Sequence, residues 1–345
     1  MSWTLLTLWT SCCLVATSTN PALKDLPAHL PPLPDFKQPV DYIQWLRDRL
    51  TAPPGDDARP LYDEIFVQSG DSEAIQKAKS RLWGEDEKGR LEGMFTGDEE
   101  FPERYAWDPA DHPKWEAAYQ AQVAAGLPEK LRAIGKRKQL SQPFGFYDPR
   151  EAITSSPGDE GGAASQPDIG LTAEDRLLIN VLMPSLSPNR RIVKVLLQNA
   201  WRAPQGKVSP KAMEDAIRTA ISVADQASSH TVIGHLVSNA NHELIYMSML
   251  RALRENVFGP SETVKMMQIL SMQDKRIQTQ AEYDSEEIAQ MLDLLQFIYQ
   301  PTPDGVPKPN PDRLKRLARY LAALKAAYPE YHETVLDVVG LIGKC

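Results

Sequence analysis

Residues 230–256 read HTVIGHLVSNANHELIYMSMLRALREN. This stretch decides the fold class. Ile233, Leu236, Val237, Ala240, Leu244 and Met247 recur at three- and four-residue spacing, the period of one helix face. No two-residue alternation runs through it. The spacing predicts a long helix over Thr231–Asn256, ended by Gly259-Pro260, with that apolar stripe turned to the core. His235, Asn239 and His242 fall along one flank of the stripe.

Inside the stretch lies HELIY, residues 242–246. It is one residue short of H-E-x-x-H, in which two histidines one turn apart share a zinc ion and the glutamate activates its water. Here Tyr246 takes the place of the second histidine. A tyrosine oxygen must first lose a proton whose ordinary pKa is about 10. His235 shares a face with His242, but seven residues of helix rise about 10.5 Å. Zinc–nitrogen bonds of about 2 Å do not close that gap on a straight helix. The residues therefore read as helix packing, with each histidine making one hydrogen bond. No residue is assigned as catalytic, cofactor-binding or metal-ligating. The competing reading is a metal-dependent hydrolase with a non-standard site near His242, using His235, His242 and Glu243 with a ligand from elsewhere.

Outward from this helix the same pattern repeats. Helical spacing is found at Pro39–Leu50, Ala58–Val67, Glu73–Trp83, His112–Ala125 and Lys130–Gln139. Beyond residue 171 it returns at Thr172–Leu182, Asn189–Arg202, Lys211–Ser228, Ser261–Met272, Glu282–Tyr299, Pro311–Ala327 and His332–Ile342. Proline sits in the first turn of several, where a missing N–H costs nothing. Asp111, Thr172 and Ser209 are placed as caps. The fold expected is all-α: stacked antiparallel helical hairpins, TPR-like or solenoid-like, with an irregular proline-rich N-terminal arm. The regions expected are a signal peptide at 1–18, the arm at 19–40, a helical region at 41–149, a flexible Gly/Ser/Pro-rich linker at 150–171, and a second helical region at 172–345.

The N-terminus is apolar and uncharged from Leu5 to Ala16, with small residues after it, the size and ending of a secretory leader. It lacks the usual basic residue before the apolar run. The run is too short for a stable membrane span. Export to the periplasm or the outside is expected. Anchoring as a lipoprotein through Cys12 fits the preceding residues poorly. The three cysteines are Cys12, Cys13 and Cys345, so a processed chain keeps one thiol and forms no internal disulfide. A net charge of −8 argues against a general nucleic-acid binder, which needs a basic face to displace counterions. The basic run Lys130–Lys138 lacks interleaved aromatics and reads as a solvated helix end.

Other chemistry is thin. Glu282, Asp284, Glu286 and Glu287 read as a helix start, where acidic groups meet the dipole. Residues 303–312 lack the alternating ligands and closing glutamate of a calcium loop. Methionines 247, 249, 266, 267, 272 and 291 fit irregular core gaps. Trp45, Trp83, Trp107, Trp115 and Trp201 read as core or half-buried side chains rather than a sugar platform. No G-x-S-x-G or phosphate-binding glycine loop is present.

Three stretches together carry a resemblance. FKQPVDYIQWLRDRL with DARPLYDEIF covers residues 36–66, the run from Leu177 to Leu250 is the second, and MLDLLQFIY at 291–299 is the third. They resemble a group of exported, all-helical bacterial proteins of unassigned activity. The resemblance implies a helical fold and export, and supplies no catalytic residue. The function expected is a non-catalytic interaction or structural module of the bacterial cell envelope. Its partner would be a protein or peptide of the envelope, without nucleic acid and without cofactor.

Overall fold

A computed structural model describes residues 31–34, 37–68, 70–84, 106–142, 144–146, 175, 177–178, 181–182, 186–227, 232–273, 280–303 and 305–327. Among these residues the chain is mostly helical, with eleven α-helices and two very short antiparallel strand pairs. The helices are α1 (Tyr42–Leu50), α2 (Arg59–Ile65), α3 (Glu73–Leu82), α4 (Pro113–Ala124), α5 (Leu127–Gly135), α6 (Leu186–Ala200), α7 (Pro210–Ala227), α8 (Val232–Arg254), α9 (Pro260–Gln273), α10 (Gln280–Ile298) and α11 (Pro311–Ala327). Strand β1 (Gly145–Phe146) pairs with β2 (Val181–Leu182), and β3 (Tyr299–Gln300) with β4 (Lys308–Pro309). The leader, most of the proline arm, the linker at 150–171, the three cysteines and the helix expected at His332–Ile342 lie outside the described residues.

Local chemistry sets the helix ends. Asp41 accepts the Gln44 N–H at 2.8 Å and starts α1. Ser209 accepts the Ala212 N–H at 3.3 Å ahead of Pro210. Asn310 Oδ1 takes the N–H groups of Asp312 and Arg313 at 2.9 and 3.1 Å, satisfying two of the orphan donors of α11. At the other end of α8, Asn256 has φ 54°. The Val257 N–H then reaches back to the Ala252 carbonyl at 2.9 Å, the closure by which a left-handed residue ends a helix.

Several expectations need correcting. The start of α4 is His112, not Asp111, and His112 makes no capping bond. Thr172–Leu182 does not continue as a helix: Val181–Leu182 is a strand, and Leu177 and Leu178 are buried in two different clusters.

The centre of the molecule is the packing of α6, α7 and α8 on one another, with α5 laid against α7. A Cβ on Gly135 of α5 would stand 2.7 Å from Thr219 Cγ2 of α7, so the glycine permits that close crossing. Four of the five tryptophans read as core or half-buried side chains are core residues here. Trp83, Trp107, Trp115 and Trp201 share one hydrophobic cluster, built from residues on both sides of the 150–171 segment. The Trp107 N–H donates to the Trp201 carbonyl at 3.1 Å, and the Ala203 N–H to the Trp107 carbonyl at 2.8 Å. The ring N–H groups of Trp83, Trp107 and Trp201 reach Ile65 O, Gln198 O and Ser248 Oγ at 2.7–2.8 Å, as buried indoles require.

Two smaller clusters flank this core. One joins α1 and α10 through Tyr42, Leu46, Leu50, Ala289 and Leu292. The other joins α10 and α11 through Ile298, Leu317 and Tyr320. Of residues 303–312, Lys308–Pro309 are strand β4 and Pro311 opens α11; Gly305, between β3 and β4, has φ 78°, and the Asn310 N–H donates to the Ile298 carbonyl at 2.8 Å.

Candidate functional site

Helix α8 forms over nearly the span its spacing predicts, but it is turned otherwise than the apolar stripe suggests. Leu236 is 57% exposed, Met247 49% and Leu250 54%. The buried side carries His235, Ser238, Asn241, Leu244, Ile245, Ser248, Met249 and Ala252. The first half of the helix thus turns His235, Ser238 and Asn241 to the core and Leu236 outward. Asn239, expected on the histidine flank, is exposed, as is Glu243.

Neighbouring helices explain the inversion. Asn241 Nδ2 donates to Asn189 Oδ1 of α6 at 2.8 Å. Asn189 Nδ2 donates in turn to the Val223 carbonyl of α7 at 2.6 Å and to the Tyr62 hydroxyl of α2 at 3.1 Å. The Gln226 amide NH₂ donates to the Ile134 and Arg137 carbonyls at 2.9 Å, satisfying carbonyls at the end of α5. Burial holds the Tyr62 hydroxyl well above the ordinary phenol range, so it stays neutral. Buried amides need partners, and an apolar stripe on α8 would leave Asn189 Oδ1 without the donor that Asn241 supplies.

The HELIY residues sit at the edge of this network. His242 Nε2 lies 3.1 Å from Asp225 Oδ1 of α7. Its other nitrogen, Nδ1, is buried with no hydrogen-bond partner among the described residues. The Tyr246 ring stacks on the imidazole, with centroids 5.7 Å apart. An Asp–His pair is the outer-shell arrangement that orients a ligating histidine. Among the described residues, however, no group of three His, Cys, Asp or Glu side chains is placed to hold a metal ion. His235 is buried on the core side of α8 and Glu243 faces outward, so the three residues of the hydrolase reading do not converge.

Elsewhere the charged candidates resolve into structural pairs. In the basic run, Lys130 pairs with Glu64, Lys138 with Asp56 and Arg132 with Glu129, while Arg137 donates to the Gly55 carbonyl. Helix α10 begins at Gln280, two residues before the acidic run. Arg202 grips Glu116 with two bonds of 2.6 and 2.7 Å and lies over the Tyr119 ring. That guanidinium holds the Glu116 carboxyl below its usual range.

One titratable group was missed in the sequence. Asp293 of α10 is 8% exposed and accepts the Leu178 N–H at 2.8 Å. Burial, with a smaller contribution from nearby Asp41, pushes its carboxyl up to about 6. Its position in MLDLLQFIY, an aspartate in a largely apolar run, is the one signal that marks it.

Among the described residues no helix is long and apolar enough to cross a membrane. Compared with protein-family models, with curated proteins and with solved structures, the chain matches none of them.

Proposed function

We propose that this protein is a non-catalytic interaction module of the bacterial cell envelope, exported and built as a stack of helical hairpins of the TPR-like or solenoid-like kind. One observation carries the reading: the outward face of α8. Leu236, Ala240, Glu243, Met247 and Leu250 follow one another at spacings of four, three, four and three, which is the seam spacing of a helix that pairs with another helix. Three large apolar side chains about half exposed on one straight line are unusual on a surface that serves only solvation. A helical segment of a partner fits such a seam, with apolar anchors at matching intervals. The successive packing of α6, α7 and α8 supports the stacked-hairpin description. Export rests on the leader and on the resemblance of the three sequence stretches.

The test is a comparative pulldown from envelope extracts, using wild type and the triple variant Leu236→Ser, Met247→Ser, Leu250→Ser. A partner retained by wild type and lost with a variant of unchanged melting temperature supports the reading. A set of retained proteins that the triple variant leaves unchanged overturns it.

A further inference from the structure

We propose that Asp293 is a proton-operated latch on helix α1: uncharged, it lets both α1 and the chain at Leu178 stay on α10; charged, it keeps Leu178 and lets the N-terminal end of α1 swing away. The inference does not depend on the α8 seam.

The first argument is placement. Tyr42 and Leu46 of α1, Leu178, and Ala289 and Leu292 of α10 share one cluster, and the buried Asp293 follows Leu292 in the chain. Three residues on, Gln296 clamps the backbone just ahead of α1. Its Oε1 accepts the Val40 N–H at 2.8 Å, and its Nε2 donates to the Val40 carbonyl at 2.9 Å. Residues three apart are neighbours on a helix face. The start of α1 therefore rests on the side of α10 that carries the carboxyl.

The second argument is what each neighbour offers. Leu178 gives its N–H at 2.8 Å, a bond that favours the charged carboxylate. Helix α1 gives no donor among the described residues. The Tyr42 hydroxyl donates to the Pro32 carbonyl at 2.8 Å. Asp41 brings a second carboxylate, fixed by its bond to the Gln44 N–H, and its charge opposes ionisation of Asp293. A charge on Asp293 thus tightens one neighbour and repels the other.

The described cations nearby are engaged elsewhere. Arg49 of α1 lies over the Trp45 ring and Arg47 over Phe144. Asp175, ahead of Leu178, pairs with Arg316 of α11, and Arg313 donates to the Phe297 carbonyl. On α8, which also packs on α10, Arg251 pairs with Glu255 and His242 with Asp225. Glu243 and Arg254 are exposed there, and His235 is buried on the core side. Asp293 is the one charged residue of α10 from Ile288 to Ile298.

The third argument is a hinge. The far end of α1 is pinned: the Gln142 N–H donates to the Leu50 carbonyl at 3.1 Å, and the Ala52 N–H to Ser141 Oγ at 2.9 Å. The main cluster contains no residue of α1. Release at Val40–Tyr42 therefore pivots α1 about Leu50 and leaves that core packed. Opening returns the carboxyl from about 6 toward its value in water, about 3.9. Full exposure would make opening about 25-fold more favourable at pH 7.5 than at pH 4.5.

The experiment reads amide hydrogen exchange of the full chain at pH 4.5 and 7.5, each rate divided by the intrinsic rate at that pH. Three amides are compared: Val40, bonded to Gln296; Leu178, bonded to Asp293; and Trp107, bonded to the Trp201 carbonyl in the main core. Val40 protection is expected to fall about tenfold or more at the higher pH, with Leu178 and Trp107 changing less than about threefold. In Asp293→Asn, which keeps the acceptor and removes the charge, Val40 protection is expected to be alike at both pH values within about threefold. Val40 protection indifferent to pH in wild type, joint loss at Val40 and Leu178, or a fall that persists in Asp293→Asn would each overturn the latch. The wild-type comparison of Val40 with Leu178 decides the matter even without the variant.

Discussion

Asn241 and Asn189 meet across α8 and α6 through a 2.8 Å bond between their amides, with neither side chain reaching solvent. Asn189 also serves Tyr62 and Val223, so it ties four elements together. Replacing it with leucine keeps the volume and strands three partners. We expect Asn189→Leu to cost about 2–4 kcal/mol in urea unfolding. The double variant with Asn241→Leu should cost clearly less than the two singles added, because the second change removes a group already orphaned. Strict additivity would mean that the two amides do not act together.

Asp293 sets a pH dependence of unusual sign. Its folded pKa, about 6, lies above the unfolded carboxyl value of about 3.9. The folded state thus binds the proton more tightly than the unfolded chain. The contribution is fully present below about 4 and is lost as pH rises through about 6. Asp293→Asn keeps an acceptor for the Leu178 N–H and removes the charge. We expect it to raise stability at pH 7.5 by about 1–2 kcal/mol and to leave stability near pH 4 almost unchanged. Equal effects at both pH values would rule out titration of this group as the cause.

Glu116 works in the opposite direction. Its carboxyl is held low by Arg202, so the pair stabilises above the ordinary glutamate range and fails as pH falls through the depressed value. Lysine cannot supply the two-pronged grip or lie flat on Tyr119. Arg202→Lys should therefore lose about 1–2 kcal/mol at neutral pH. Thermal melts of the variant and of Glu116→Gln should converge with wild type in acid.

Gly135→Ala probes the crossing of α5 on α7. An added methyl group 2.7 Å from Thr219 Cγ2 is expected to cost about 1–3 kcal/mol by overpacking. Thr219→Ser removes the opposing methyl and should return most of that loss in the double variant. A neutral Gly135→Ala would show that the two helices can move apart freely.

His242→Ala addresses the near-miss of H-E-x-x-H. We expect the metal content of the purified protein, measured by mass spectrometry, to be the same in wild type and variant. The lost pairing with Asp225 should lower stability by about 1 kcal/mol. Near-stoichiometric zinc that drops in the variant would reinstate the hydrolase reading.

Helix positions were largely legible because their ends carry strong local chemistry. Pro113, Pro210, Pro260 and Pro311 each open a helix in the structure, and such signals depend on a few adjacent residues. The orientation of α8 was not legible. Periodicity finds an apolar face, but which face turns inward depends on what Asn189, Val223 and Tyr62 present from other helices. Thr172–Leu182 misled for a similar reason: Leu177 and Leu178 look like helix, yet each fills a different cluster. Asp293 was hidden because one carboxyl in an apolar run looks like a surface position until its burial is known.

The main cluster draws Trp83, Trp107 and Trp115 from one side of residues 150–171 and Trp201 from the other. Its cohesion does not depend on the peptide bonds of that stretch. A protease cut there would yield two pieces that stay together through an indole-rich interface and separate only in denaturant. Expressed as separate polypeptides, the halves should find each other and restore the native melting transition, so the chain can serve as a split pair.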